Sequence, residues 1–173
     1  SEEIMQRIAT RIQATELNRY PDTSARGLRK ILGERHDCDP NKIVLGNGSD
    51  EIISLLLTAL SGGEKPGAMV IPTPTFVMYR IQAKVADLEI REVPLRPEDF
   101  QLDLPRMEAA LEGAAICFLA RPNNPTSSLW KQENIESLIK NHPDTIFVID
   151  EAYGPYAPGE SLWRGDLPDH VVY

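Results

Sequence analysis

The sequence of 173 residues contains little cysteine, little histidine and no long apolar run. Its two cysteines, Cys38 and Cys117, are too few for a disulfide framework, so we expect a reducing, cytoplasmic environment. The three histidines have no metal-ligand spacing, and neither do the cysteines, so no metal site is predicted. No segment approaches the roughly 18 apolar residues of a membrane span, and the N-terminus lacks a signal-peptide core. We therefore expect no membrane partner.

Positive charge is also in short supply. Lys and Arg together number 18, against 26 Asp and Glu, for a net charge of −8. This balance argues against nucleic acid or an anionic membrane surface as the main partner. A local site for a small anion is still allowed, because backbone N–H groups bind anions without basic side chains. The composition, 42% hydrophobic and 25% charged, is that of a globular chain with a real core.

Strand and helix patterns alternate from Lys42 onward. KIVLG, AMVIP, AAICFLA and TIFVID are short apolar runs that predict strands, and TFVMYRIQAKVA and KQENIESLIKNH have the pattern of amphipathic helices. The helix that follows GNGSDE is predicted to end at Gly62 and Gly63. This alternation predicts a three-layer α/β/α fold around a mainly parallel sheet, which binds ligands beyond the carboxyl ends of its strands.

The segment before this alternation has a different pattern. Ile4, Ile8 and Ile12 predict one face of an amphipathic helix, and Ser24 is the predicted N-cap of a second helix. We therefore divide the chain into an N-terminal helical segment, residues 1–23, and a large α/β domain, residues 24–173.

Polar motifs follow several of the predicted strands. In GNGSDE, Gly48, Ser49 and Asp50 form either a phosphate cradle at a helix N-terminus or a simple capped turn. In RPNNPTSS, the two prolines confine Asn124 to a rigid loop. That loop either aims an amide at a ligand or is an ordinary Asx turn.

The stretch TIFVIDEAYGPY runs from an apolar strand directly into acidic and phenolic residues. Asp150 is either a structural acid or the partner of a cationic ring nitrogen, and Tyr153 lies close enough in sequence to hydrogen-bond a ring oxygen. Phe76, after PTPT, is either a core residue or an aromatic at the ligand. Together these groups describe a flat, phosphorylated aromatic ring with a basic nitrogen and a phenolic oxygen, which is pyridoxal 5′-phosphate.

With these residues assembled, the sequence resembles the fold-type I pyridoxal-phosphate enzymes, and among them the histidinol-phosphate aminotransferases. NRYPD, GNGSDE, PTPTFVMY, PNNPT and DEAY occur in the family's order and at about its spacing. The resemblance implies that residues 24–173 bind the cofactor through seven residues, namely Gly48, Ser49, Asp50, Phe76, Asn124, Asp150 and Tyr153.

The resemblance also implies a role for each of them. The first three would cradle the phosphate, and Phe76 would stack on the ring. Asn124 and Tyr153 would hydrogen-bond the ring's O3′, and Asp150 would pair with the protonated ring nitrogen. Tyr20 would reach the neighbouring subunit's site in a homodimer, so the resemblance makes residues 1–23 an N-terminal helix and interface segment.

The implied reaction transfers an amino group from histidinol phosphate to 2-oxoglutarate, a step of histidine biosynthesis. A decarboxylase of a phosphorylated amino acid and a non-catalytic ligand-binding domain remain as alternatives. Arg121 and Ser127 depart from the family, which usually has Asn and Gly there. The family's Schiff-base lysine falls beyond Tyr173, so we expect no catalytic residue in this chain, which would be a truncated large domain, inactive by itself.

Overall fold

The computed structural model describes residues 1–61, 67–163 and 167–173. The chain forms two compact units, Ser1–Ile43 and Val44–Tyr173. The functional division after residue 23 remains a prediction. No helix in the described ranges is both long and apolar enough to cross a bilayer.

The first unit contains helices α1 (Glu2–Gln13) and α2 (Arg26–His36), followed by a 3-10 turn at Pro40–Lys42. The predicted helix at Ile4, Ile8 and Ile12 is confirmed, but no residue of α1 is buried. The prediction for Ser24 was wrong. Ala25 occupies the N-cap position without a side-chain cap, and the carboxylate of Asp22 instead accepts hydrogen bonds from the backbone N–H groups of Arg26, the first residue of α2, at 3.0 Å and of Ser24 at 3.1 Å.

The second unit contains α3 (Ser49–Ser61), β1 (Ala68–Thr73), α4 (Val77–Val85), β2 (Ile90–Pro94), α5 (Leu104–Leu111), β3 (Ala114–Ala120), α6 (Gln132–Asn141), β4 (Ile146–Asp150) and β5 (Val171–Val172). The predicted end of α3 at Gly62 and Gly63 lies outside the described residues. The predicted strand KIVLG was wrong. Residues 43–46 have no regular structure, and Val44 and Leu45 stay exposed without pairing to any described strand.

The five strands pair in the order β2-β1-β3-β4-β5, and every pair is parallel. The predicted α/β fold with a mainly parallel sheet is therefore confirmed. The chain moves outward from β1 to β2 and then returns to place β3 on the other side of β1. This reversal makes the carboxyl ends of β1 and β3 the topological switch point, where open α/β sheets bind ligands.

Two hydrophobic clusters cover the two faces of the sheet. On the α3/α4 face, Ile53 and Leu57 of α3 pack with Tyr79 and Ala83 of α4 over alternate residues of β1, β3 and β4. On the α5/α6 face, the buried residues of α5 and α6 pack over the other set, with Trp130 fully buried beside them. Because side chains alternate along a strand, each strand contributes to both clusters, which is why AAICFLA and IFVID are apolar throughout.

Candidate functional site

Asp150, the last residue of β4, lies at the carboxyl edge of the sheet and on the α3/α4 face. Ile146 and Val148 pack into the cluster of that face, and the two-residue period of the strand places Asp150 on the same side. The hydroxyl of Tyr79 donates to Asp150 Oδ2 at 2.6 Å, and the backbone N–H of Ala152 donates to Oδ1 at 3.0 Å. Both oxygens of this half-buried carboxylate therefore have a neutral donor.

No described Lys, Arg or His side chain pairs with Asp150. A half-buried carboxylate without a cationic partner is uncommon, because burial costs an ion free energy that a counter-charge usually offsets. Burial, and next the charge of Asp150, raise the pKa of Tyr79 far above its ordinary value. The phenol therefore stays protonated and remains the donor of this bond.

Two aromatic rings pack against the ring of Tyr79. Tyr79 is fully buried and stacks on Phe118 of β3, with ring centroids 4.8 Å apart. Phe76, just before α4, lies edge-on to Tyr79 at 5.5 Å and packs half-buried against the same cluster. The structure thus connects two predicted site residues, Phe76 and Asp150, through Tyr79, a residue of the helix that the pattern TFVMYRIQAKVA predicts.

Asn123, the neighbour of the predicted cofactor residue Asn124, connects the two loops at the switch point. Its amide nitrogen donates to the carbonyl oxygen of Pro74 at 3.0 Å and to Thr126 Oγ1 at 2.8 Å, and its Oδ1 accepts from Thr75 Oγ1 at 2.7 Å. Asn123 is only 2% exposed. It fixes the loop after β3 against the loop after β1, and Asn124 is left half-buried beside it.

The proline-flanked Asn-Asn pair was the sequence signal for this loop, but the pair alone does not show which amide is used internally. That choice depends on the loop after β1, which supplies two of the three partners of Asn123.

Arg121 and Ser127, which depart from the family pattern, both have defined structural roles. Arg121 is 4% exposed; its Nε donates to the carbonyl of Trp130 at 3.0 Å, and its other nitrogens bind the carbonyl and carboxylate of Glu160. Arg121 therefore joins the loop after β3 to the segment that follows Tyr153. Ser127 has a φ of +58°, a left-handed conformation that glycine adopts with less strain.

The predicted phosphate cradle lies at the start of α3. Gly48 has a φ of +79°, which permits the turn into the helix. Ser49 and Asp50 are exposed in the first turn of α3. The carboxylate of Glu51 folds back to accept from the backbone N–H of Asn47. Because α3 packs on the same face as Tyr79, its N-terminus belongs to the side of the sheet that carries Asp150.

Tyr153 and Tyr20 are less constrained. Tyr153 lies in the turn after β4, 47% exposed, with its ring centroid 6.2 Å from that of Tyr156. Tyr20 belongs to the first unit and is fully exposed. Convergence of the seven cofactor residues on one pocket, and the role of Tyr20, stay predictions.

Elsewhere, a cleft of about 300 Å³ opens between the first turns of α5 and α6. Its lining includes Arg96, Gln101, Asp103 and Lys131, and none of the predicted site residues contributes to it. Within the described ranges, no group of three or more His, Cys, Asp or Glu residues is arranged to hold a metal ion.

Comparison with known proteins shows the family to which this chain belongs. The family described as "Aminotransferase class I and II" matches residues 1–172. The chain belongs to this family. It is 44% identical over 172 residues to histidinol-phosphate aminotransferase 1 of Burkholderia mallei, covering 95% of this chain and 46% of that protein. This aminotransferase-family chain thus spans about half the length of the curated relatives it matches.

Two solved structures show similarity over most of this aminotransferase-family chain. The histidinol-phosphate aminotransferase of Sinorhizobium meliloti, in complex with pyridoxal-5′-phosphate, has a TM-score of 0.77 and 25% identity, covering 90% of this chain and 42% of that one. The L-threonine-O-3-phosphate decarboxylase of Porphyromonas gingivalis has a TM-score of 0.72 and 25% identity, covering 88% and 43%.

Proposed function

We propose that the unit Val44–Tyr173 binds pyridoxal 5′-phosphate at the carboxyl edge of its sheet. The observation that carries this proposal is Asp150, a half-buried carboxylate at a strand end, held by two neutral donors and paired with no described cationic side chain. A protonated pyridine nitrogen is a cation that suits such a carboxylate. The solved relative from Sinorhizobium meliloti, named as a complex with this cofactor, supports the assignment.

The remaining predicted residues fit the other parts of the cofactor. Phe76 offers an aromatic face beside Tyr79, and Asn124 and Tyr153 offer an amide and a phenol for O3′. The first turn of α3 offers backbone N–H groups for the phosphate. When bound, pyridoxal phosphate supplies an electron sink for carbanion chemistry. Asp150 would keep the ring nitrogen protonated. The packed rings of Phe76, Tyr79 and Phe118 would limit the access of water to Asp150 from the side of Tyr79.

For the whole protein we propose amino-group transfer from histidinol phosphate to a 2-oxo acid, with 2-oxoglutarate as the acceptor, as a step of histidine biosynthesis. The 44% identity to the Burkholderia mallei protein supports this substrate. A decarboxylase of a phosphorylated amino acid is the second candidate, favoured by the structural similarity to the Porphyromonas gingivalis enzyme. Both candidates use a phosphorylated amine.

Cofactor binding is tested with Asp150→Asn, which keeps the shape of the side chain and removes its charge. We expect the dissociation constant of pyridoxal phosphate to rise about 10- to 100-fold, because a hydrogen bond between two charged groups is replaced by a neutral one. Asp144→Asn is the matched control, since Asp144 is an exposed acid just before the same strand. Equal affinities for both variants would refute the role of Asp150.

The reaction is tested on the full-length gene product. Glutamate formation from histidinol phosphate and 2-oxoglutarate is expected, whereas release of carbon dioxide from L-threonine O-3-phosphate would instead support the decarboxylase. Tight cofactor binding without either activity would support the non-catalytic alternative.

The proposal also includes the self-association of the protein. We infer a homodimer, because Ile4, Ile8 and Ile12 present exposed apolar side chains on one helix. Sedimentation of the full-length protein and of its Ile8→Asp variant tests this, and the variant is expected to shift toward monomer.

A cytoplasmic location is supported by the two unpaired cysteines, Cys38 and Cys117, and cell fractionation tests it.

A further inference from the structure

We propose that Tyr79 is a positioning residue that acts on the cofactor through Asp150. The proposal rests on the cofactor assignment above and adds a residue to it. The hydroxyl of Tyr79 donates a hydrogen bond to Asp150 Oδ2 at 2.6 Å. The geometry points to a phenol whose role is to orient the carboxylate.

The packing of the tyrosine ring defines where its hydroxyl lies. Tyr79 is one turn of α4 beyond Phe76 and is fully buried between that ring and Phe118. Stacking at 4.8 Å on one side and an edge contact at 5.5 Å on another leave the ring little freedom to rotate out of place. The hydroxyl therefore reaches Asp150 from a rigid element rather than from a mobile loop.

The two donors together fix the plane of the carboxylate. Tyr79 holds Oδ2, and the backbone N–H of Ala152 holds Oδ1 at 3.0 Å. Each ionised oxygen accepts more than one hydrogen bond, so either one can still accept from a ring N–H. A carboxylate oriented in advance loses less conformational freedom when the ligand arrives, and more of the interaction free energy then appears as affinity.

The chemical identity of the donor matters as much as its position. A lysine or arginine in place of Tyr79 would neutralise Asp150 and compete with a cationic ring nitrogen. The phenol of Tyr79 is neutral, and burial together with the nearby carboxylate raises its pKa, so it stays neutral. Tyr79 thus orients the acid and leaves its full charge to the ligand.

The test is Tyr79→Phe in the full-length gene product, because phenylalanine keeps the ring packing and removes only the hydroxyl. Two probes are titrated: pyridoxal phosphate, and its carbocyclic analogue in which a C–H group replaces the ring nitrogen. We expect the dissociation constant of pyridoxal phosphate to rise about tenfold, because its ionic partner loses a fixed orientation. The affinity for the analogue should change less than about twofold.

Two controls accompany this variant. Tyr156→Phe removes a hydroxyl from an 84% exposed tyrosine of the same unit and should change neither affinity. Tyr79→Phe introduced into the Asp150→Asn protein should have no further effect on pyridoxal phosphate, because the effect of Tyr79 passes through the carboxylate charge. Additive losses in this double-mutant cycle would contradict the proposal.

The outcomes separate this inference from the cofactor assignment. If the wild-type protein fails to bind pyridoxal phosphate, both fall. If the wild-type protein binds it and Tyr79→Phe binds it equally well, only the positioning role falls. Equal losses for both probes, or a Tyr79→Phe protein unfolded at the assay temperature, would assign Tyr79 to packing or stability and overturn the proposal.

Discussion

Two segments that carry predicted site residues are built in opposite ways. The loop after β3, residues 121–128, is anchored by Arg121 and Asn123, which are both buried and fully engaged with neighbouring loops. The turn that leads into the first residues of α3, residues 46–51, is exposed throughout, and within it the carboxylate of Glu51 accepts from the backbone N–H of Asn47. The buried polar side chains of the first segment have hydrogen-bond partners within the protein, and the second segment has polar groups that face solvent.

This difference matches the kinds of contact expected from each segment. A side-chain amide or carboxylate binds a ligand well only in a particular orientation, so neighbouring residues must hold it in place. Backbone N–H groups at a helix start are already oriented by the helix and need only to be accessible. The comparison therefore predicts large stability effects in residues 121–128 and small effects, mainly on anion binding, in residues 46–51.

The largest expected effect comes from Asn123→Ala. It removes three hydrogen bonds and leaves Thr75 Oγ1 and the carbonyl of Pro74 without their partner, so we expect a loss of about 2–3 kcal/mol in the free energy of unfolding. Asn124→Ala is the matched control and should cost less than about 0.5 kcal/mol, because the side chain of Asn124 makes no hydrogen bond to a described residue. Urea denaturation measures both. Equal losses would mean that the two amides share the structural role.

Arg121→Met should have the next largest effect. Methionine keeps much of the buried stem but leaves the carbonyls of Trp130 and Glu160 without donors, at a cost of about 1–2 kcal/mol. Arg106→Met removes a 66% exposed arginine whose pair with Asp103 is screened by solvent, and should cost less than about 0.5 kcal/mol. Thermal unfolding measures both variants. If Arg106→Met proved as destabilising as Arg121→Met, the result would contradict the comparison.

Ser127→Gly should stabilise the protein. Its φ of +58° is strained for a residue with a Cβ atom, and glycine relieves that strain at some cost in unfolded-state entropy, for a net gain of about 0.5–1 kcal/mol. Ser127→Ala keeps the Cβ atom and should bring no gain, so it separates the backbone effect from loss of the hydroxyl. A gain in both variants, in the same denaturation experiment, would point to the hydroxyl instead.

The smallest effect concerns Glu51→Gln in the exposed turn. Glutamine keeps an acceptor for the N–H of Asn47 but removes a negative charge beside the predicted phosphate cradle. We expect inorganic phosphate to bind roughly two- to threefold more tightly at low salt, and the gain to shrink as salt rises. Glu133→Gln changes the equivalent first-turn glutamate of α6 and should leave phosphate binding unchanged. Calorimetric titration distinguishes them, and no gain at low salt would argue against the cradle.

Local patterns were sufficient to predict most helices and strands of the second unit, but they failed at two places where the surrounding geometry decided the outcome. KIVLG has the apolar character of a strand, yet residues 43–46 pair with no described strand and stay irregular. Ser24 has the chemistry of an N-cap, yet Asp22 reaches the free N–H of α2 first. In both cases the residue type was suitable and the geometry around it was not.

The candidate site divides in the same way. Asp150 was predictable because a buried strand that ends in a carboxylate is a local pattern. Tyr79 was visible only as one residue of a predicted amphipathic helix, because 71 positions separate it from Asp150 and the two meet only in the folded chain. The sequence alone could place a polar group at each strand end, but it could not show which groups contact one another.

By itself, the sequence determined that the chain alternates strands and helices, that its sheet is parallel and buried on both faces, and that carboxylate, amide and aromatic groups follow its strands. These properties depend on short-range periodicity and on residue chemistry. The tertiary structure decided the strand order, the choice of Asn123 as the internal amide, and the hydrogen bond from Tyr79 to Asp150. Those depend on contacts between residues far apart in the chain, which form only when helices and strands pack around a common core.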